Sequence, residues 1–275
     1  MNRELTDKIK QMLVSLGLRE GDTVFVHAGI GQIAAMLGHA VPVSVSDTLN
    51  AFHAALMDTV GASGTLAAPG FFYDYARKNK PYIVESSPPD RRLGFYPMHL
   101  LKQDGCKRSL NPIANVLAVG KNAADICAHT SAFAYGTMSP WARLVDYNAK
   151  GLVIGLPFMM TFIHHVEALV GPPHIYNKIF KTPVVAEGKP IELPVIASVR
   201  YLNYDIGYKD DKVEALLRNN GVMAEANRDG VQASVTRLQD IQRLLMPEIA
   251  KNTSFTLKSE PVFSPGELPD DGFQG

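Results

Sequence analysis

The chain has 275 residues, 46% of them hydrophobic, with 27 basic and 27 acidic side chains, so its formal net charge is zero. That size and apolar content bury a sizeable core, in one large domain or two closely packed ones, and the even balance leaves no electrostatic footprint for nucleic acid. No apolar run is long enough to span a bilayer, and Cys106 and Cys127 form neither a C-x-x-C pair nor a disulfide framework, which suits a reducing, cytoplasmic setting and reads both as packing residues.

The first stretch, MNRELTDKIKQMLVSLGLREGD, is patterned as an amphipathic helix and not as a signal peptide. GDTVFVHAG follows as a strand ending in a glycine-bearing loop, and DTLNAFHAALMDTVG as a helix capped by Ser46 or Asp47, with Leu49, Phe52, Leu56 and Val60 inward. GTLAAPGF is a further strand. Residues 73–98, rich in proline, charge and tyrosine, read as a long excursion over the active face. LAVG and GLVIGL are strands, and TFIHHVEALVG is a short helix stopped by Gly171, Pro172 and Pro173. Residues 180–208 carry the valines, prolines and tight glycine turn of a β-hairpin region, and RLQDIQRLLMPEIAKN closes the chain's pattern as an amphipathic helix. The alternation predicts an α/β fold: a mixed sheet covered by helices in α/β/α layers, with a β-rich hairpin region in the C-terminal half.

The polar residues within TFIHHVEALVG raise the chemical question. At helical spacing Thr161, His164 and Glu167 share one row, while His165 points about 100° away from His164. One reading is an imidazole held by a carboxylate one turn away as a general base; another is a buried histidine satisfied by a neighbouring glutamate. A third is a metal-dependent hydrolase using His164, His165 and Glu167, with His129 and His174 completing a ligand set. Against that, zinc motifs on one helix set two histidines four apart, whereas adjacent histidines diverge.

The blocks GDTVFVHAG, GTLAAPGF, KRSLNPIANVLAVGKNA, YGTMSPWARL, KGLVIGL and TFIHHVEALVG occur in an order and spacing that resembles the aminoglycoside 3-N-acetyltransferase family, from about residue 5 to about residue 255. The resemblance implies residues 1–275 as one acyltransferase domain, with two intimately packed subdomains as the alternative. It implies acetyl-coenzyme A or another acyl-coenzyme A as donor, an amino group on a sugar-like acceptor, and no metal. Position in the family-like block makes His164 the expected base and Glu167 its partner; a coenzyme A-binding homologue without catalysis is the remaining alternative. The chain departs from the family at Asn111 and Asn115, where histidine and serine are usual. Asparagine hydrogen-bonds but does not titrate.

For the donor, His27, Ala28 and Gly29 lie in a strand-ending loop where backbone approaches a ligand closely. The resemblance places Arg108 and Ser109 beside the coenzyme, and Ser139 and Thr161 either position a substrate or cap and turn the chain. For the acceptor, Asn111, Tyr73 and Tyr75 are the expected contacts. Aminoglycosides are polycations and call for gathered carboxylates. Here Asp74, Glu85 and Asp90 are interleaved with Arg77, Lys78, Lys80, Arg91 and Arg92, and Phe71, Phe72, Tyr73, Tyr75 and Tyr82 offer stacking surfaces or lid packing. An amino-sugar nucleotide therefore competes with an antibiotic as acceptor. No membrane partner is expected, and the sequence leaves the oligomeric state open.

Overall fold

The computed structural model describes residues 2–38, 43–128, 131–192, 194–201 and 204–263. Its strands are β1 (Thr23–Ala28), β2 (Thr65–Pro69), β3 (Tyr82–Ile83), β4 (Lys107–Arg108), β5 (Val116–Gly120), β6 (Lys150–Ile154), β7 (Ile175–Phe180), β8 (Val184–Ala186), β9 (Lys189–Ile191), β10 (Val195–Arg200), β11 (Met223–Arg228) and β12 (Val231–Arg237). Its helices are α1 (Arg3–Ser15), α2 (Ile30–Ala34), α3 (Val45–Val60), α4 (Asp74–Lys78), α5 (Tyr96–Leu101), α6 (Ala123–Cys127), α7 (Pro140–Asp146), α8 (Ile163–Val170), α9 (Asp210–Asn219) and α10 (Leu238–Lys251).

Seven strands form one mixed sheet in the order β11-β12-β6-β1-β2-β5-β4. The central trio β6, β1 and β2 is parallel, and the flanking pairs are antiparallel. Strand alternation sorts the core onto two faces. Phe25, Ala67, Ala118 and Val153 pack with Trp141, Val166 and Leu245 on one side. Val24, Val26, Leu66 and Leu152 pack with Leu13, Phe52 and Leu56 on the other. These are the expected α/β/α layers, and β1, β2 and β6 are buried nearly throughout because helices cover both faces. Its parallel sheet neighbours lie on opposite sides of β1, β2 on one and β6 on the other, so the carboxyl end of β1 is a switch point where open α/β sheets form a crevice.

Two expectations are corrected. The α3 cap is Ser44, not Ser46 or Asp47: its hydroxyl accepts from the Asp47 N–H at 3.0 Å and donates to the Asp47 carboxylate at 2.7 Å. The β-rich region also starts earlier than residue 180, since β7 pairs with β10 in full antiparallel register. Between them β8 and β9 turn at Glu187 and Gly188, both at positive φ, the geometry of a two-residue hairpin. The excursion after β2 is not an open loop. It folds into α4, β3, a 3-10 turn at Arg91–Leu93 and the start of α5, and β3 adds in parallel to β8.

Candidate active site

Helix α8 begins just past the β6 loop and ends at Gly171, whose left-handed φ of 73° lets its N–H close on the Glu167 carbonyl at 2.7 Å. Ile163, His165 and Val166 face the core, and His165 is 1% exposed. Glu167 is equally buried at 1%, while the His164 side chain keeps 34% exposure. Both carboxylate oxygens of Glu167 are fully occupied. Oε2 lies 3.1 Å from His164 Nδ1 and accepts from the Tyr208 hydroxyl at 3.1 Å. Oε1 lies 3.2 Å from His174 Nε2 and accepts from the Thr256 hydroxyl at 2.6 Å. Burial alone would raise the Glu167 pKa; the hydrogen bonds from His164, His174 and Thr256 outweigh it and hold the group down to about 2. An ionised carboxylate only accepts, so the His164 nitrogen facing it carries a proton, and in the neutral ring the lone pair is then on Nε2.

His164 and Glu167 line a cleft of about 280 Å³ with Tyr73, Ala76, Arg77 and Arg92 from the excursion, Ile113 and Tyr135, and Ile175, Ser198, Val199, Arg200 and Tyr208 from the C-terminal half. Of the two tyrosines expected at the acceptor, Tyr73 lines this cleft. Tyr75 does not: its ring is fully buried, its hydroxyl donates to the Thr182 carbonyl, and burial pushes its pKa up to about 12. Asn111 sits behind Ile113, donating to the Ile196 carbonyl at 3.2 Å and accepting from the Ile113 N–H at 3.1 Å, so it shapes the cleft floor.

The expected donor residues divide. At the carboxyl end of β1, His27 Nε2 accepts from the Thr161 N–H at 3.3 Å, and burial lowers the ring's pKa to about 4; this is a satisfied core histidine that ties β1 to the start of α8. Ala28 ends the strand, paired with Ile154. Gly29 donates to the Ile154 carbonyl at 2.9 Å, and a Cβ there would meet the Gly155 carbonyl at 2.1 Å, so glycine is required for two backbones to cross. Beside this crossing a second cleft of about 890 Å³ runs past Gln32, Gly155, Leu156, Pro157 and Phe158. Its walls mix apolar Leu156, Pro157 and Phe158 with polar Gln32, Asn227 and Gln232, and its Arg218 is already forked between Glu214 and Glu225.

Arg108, Ser109 and Ser139 are structural. The Arg108 guanidinium is buried and donates to the Asn115 side chain at 2.7 Å and to the carbonyls of Val84, Ser87 and Gly70, with its carbon 4.8 Å from the Tyr82 ring centre. A fork so fully engaged does not hold a phosphate. Asn115 serves here as the acceptor for that arginine. The Ser109 hydroxyl accepts from the Val116 N–H, and Ser139 caps α7.

Among the described residues no three histidine, cysteine or carboxylate side chains are placed to hold a metal ion. His164 and His174 bind opposite oxygens of one carboxylate and His165 turns into the core, so the hydrolase alternative has no ligand set there. His129 lies outside the described residues.

A sequence model of the aminoglycoside 3-N-acetyltransferase family matches residues 25–247. The chain belongs to the aminoglycoside 3-N-acetyltransferase family. It is 30% identical to aminoglycoside N(3)-acetyltransferase IX of Micromonospora chalcea over 67% of this chain and 69% of that one. It is 27% identical to aminoglycoside N(3)-acetyltransferase III of Pseudomonas aeruginosa over 83% and 87%. In fold it is similar to AAC-IIIb solved as a binary complex with CoASH, at a TM-score of 0.75 and 23% identity over 93% of this chain and 98% of that one.

For this member of the acetyltransferase family, sequence reasoning missed what holds Glu167. Tyr208 and Thr256 are 41 and 89 residues away, and His174 entered only as a metal ligand. No local pattern announces such contacts. The buried histidines also set an acid limit on the acetyltransferase fold. Burial lowers His27 and His165 to about 4 from the ordinary 6.5, and half-buried His53, with His99 beside it, falls as far. In that window the unfolded chain binds more protons than the folded one, so stability is full above about pH 6.5 and falls as pH drops toward 4. Glu167, depressed to about 2, holds its contribution until the pH falls below the ordinary carboxylate range. Thermal melts should therefore show Tm declining from pH 6.5 downward; a flat Tm between pH 7 and 4.5 would contradict the burial of these rings.

Proposed function

We propose that the protein transfers an acetyl group from acetyl-coenzyme A to a primary amine of an amino sugar, with His164 as general base. The observation that carries this reading is the half-exposed His164 ring at the cleft wall, its Nδ1 fixed by an ionised carboxylate with no free lone pair left for another partner. The acetyl transfer in the relatives' names and the CoASH of the AAC-IIIb structure support the donor.

In this reading His164 Nε2 takes the proton that the amine loses as its nitrogen bonds the acetyl carbon and the carbon–sulfur bond breaks. Glu167 fixes the tautomer and stabilises the imidazolium that forms. Tyr135, also in the cleft lining, is assigned to donate to the developing negative charge. The donor's arm lies along the Gln32–Phe158 cleft at the carboxyl ends of β1 and β6, where the Gly29 and Gly155 crossing brings the chain closest. No helix among the described residues is long and apolar enough to cross a membrane, and both free thiols are pushed up by burial. With an acetyl-coenzyme A donor these features fit a cytoplasmic enzyme. The test is a free-thiol assay with acetyl-coenzyme A against a panel of amines. Thiol release that depends on an amine supports the reading; none with any amine, from a folded protein, overturns it.

A further inference from the structure

Charge in the acceptor cleft is unlike what a polycation needs. Arginines 77, 92 and 200 line it, from α4, the following 3-10 turn and β10. Arg77 and Arg92 place their guanidinium carbons 5.0 and 5.1 Å from the centre of the same Tyr73 ring. Arg200 approaches the Tyr208 ring at 6.0 Å and donates to the Ile206 carbonyl. Arg92 is balanced by Asp90 through two hydrogen bonds of 2.8 and 2.9 Å. Arg77 and Arg200 form no close ion pair among the described residues, although Arg77 adds to the positive charge that Asp90 meets. Glu167, the one carboxylate in the cleft lining, has all its acceptor capacity turned to four protein donors. Cations therefore outnumber free carboxylates among the lining residues, and a further carboxylate, Asp210, lies at the His164 and Glu167 end.

Resting on the acetyl-transfer reading, we infer that the acceptor is an amino sugar that carries a phosphate or diphosphate, which Arg77 and Arg200 bind while its amine meets His164. Guanidinium forks pair with phosphate oxygens in a planar, two-point geometry that an ammonium-bearing acceptor cannot use. Tyr73 and Tyr208 line the same cleft and hold these guanidinium groups against their rings. A polycationic acceptor would meet three arginines in the lining and one carboxylate there, Glu167, whose oxygens are already taken.

The experiment compares kcat/KM for glucosamine, glucosamine 6-phosphate, a uridine diphosphate amino sugar with a free amine, and sisomicin, all with acetyl-coenzyme A saturating. A phosphorylated or diphosphorylated amine is expected to exceed glucosamine by tenfold or more, through KM, and the preference is expected to shrink as salt rises. Either phosphorylated probe leading the panel supports the inference and identifies the source of the phosphate. The double variant Arg77→Gln, Arg200→Gln is expected to collapse the ratio of phosphorylated to plain acceptor. Acetyl transfer that favours sisomicin or glucosamine overturns the inference and leaves acetyl transfer standing. A double variant that weakens coenzyme A binding in place of acceptor discrimination also overturns it, since the arginines would then serve the donor. No transfer to any amine overturns both readings.

Discussion

Replacing His164 by asparagine should lower the rate of acetyl transfer by roughly 10² to 10⁴ while leaving the fold and donor affinity in place, the usual worth of a positioned base. Asparagine keeps a hydrogen bond to Glu167 but its amide is not basic and cannot take up the amine's proton. Glu167→Gln should follow in the same direction with a smaller rate loss and a lower Tm, because the new amide N–H₂ would face a hydroxyl or imidazole donor. His165→Asn should act on stability alone, since that ring packs on Phe162 at 5.2 Å and never reaches the cleft. Single-turnover rates across pH 6 to 9 with a strongly basic acceptor make the comparison sharpest, because such an amine needs most help in losing its proton. Full activity of the His164 variant at pH 7 with that acceptor would remove the base role and leave a structural imidazole–carboxylate pair.

Arg108→Ala should cost about 3–5 kcal/mol of folding stability, the scale for removing one partner from a buried charged network. Four acceptors would be left facing an empty volume: the Asn115 side chain and the carbonyls of Gly70, Val84 and Ser87. The effect would read in urea as a lower midpoint with activity intact at low denaturant, because none of these groups lines the acceptor cleft. Arg108→Lys should recover part of the loss, since an ammonium reaches some of the same carbonyls without the planar fork. An unchanged midpoint together with weakened coenzyme A binding would return Arg108 to the donor site.

What the sequence disclosed follows the strength of its periodic signals. β1, β2, β5 and β6 are continuous apolar runs bounded by glycine, and α3 and α10 carry wide inward stripes, so all six are readable from local pattern. β11 is not: MAEANR lies at the sheet edge with half-exposed and exposed side chains alternating, and no apolar run marks it. α8 was legible as a helix and His164 with Glu167 as a pair, because three residues on one helix must meet. The rest of the Glu167 shell comes from residues brought in by β7, the chain before α9 and the chain after α10, and tertiary placement alone unites them. Arg108 shows the converse error. A basic residue beside a family-like motif suggested a ligand contact, yet its neighbours in space are backbone carbonyls of the excursion.

That excursion is fastened by groups that point away from the acceptor. Arg108 grips its carbonyls from beneath, β3 pairs with β8, and the Tyr82 hydroxyl reaches the Ser109 carbonyl at 3.1 Å. The side chains it turns toward the cleft, among them Arg77 and Arg92, take no part in that fastening. Selection can thus rewrite which molecule is recognised by exchanging a few outward-facing residues, at little expense to folding and none to the histidine–carboxylate pair.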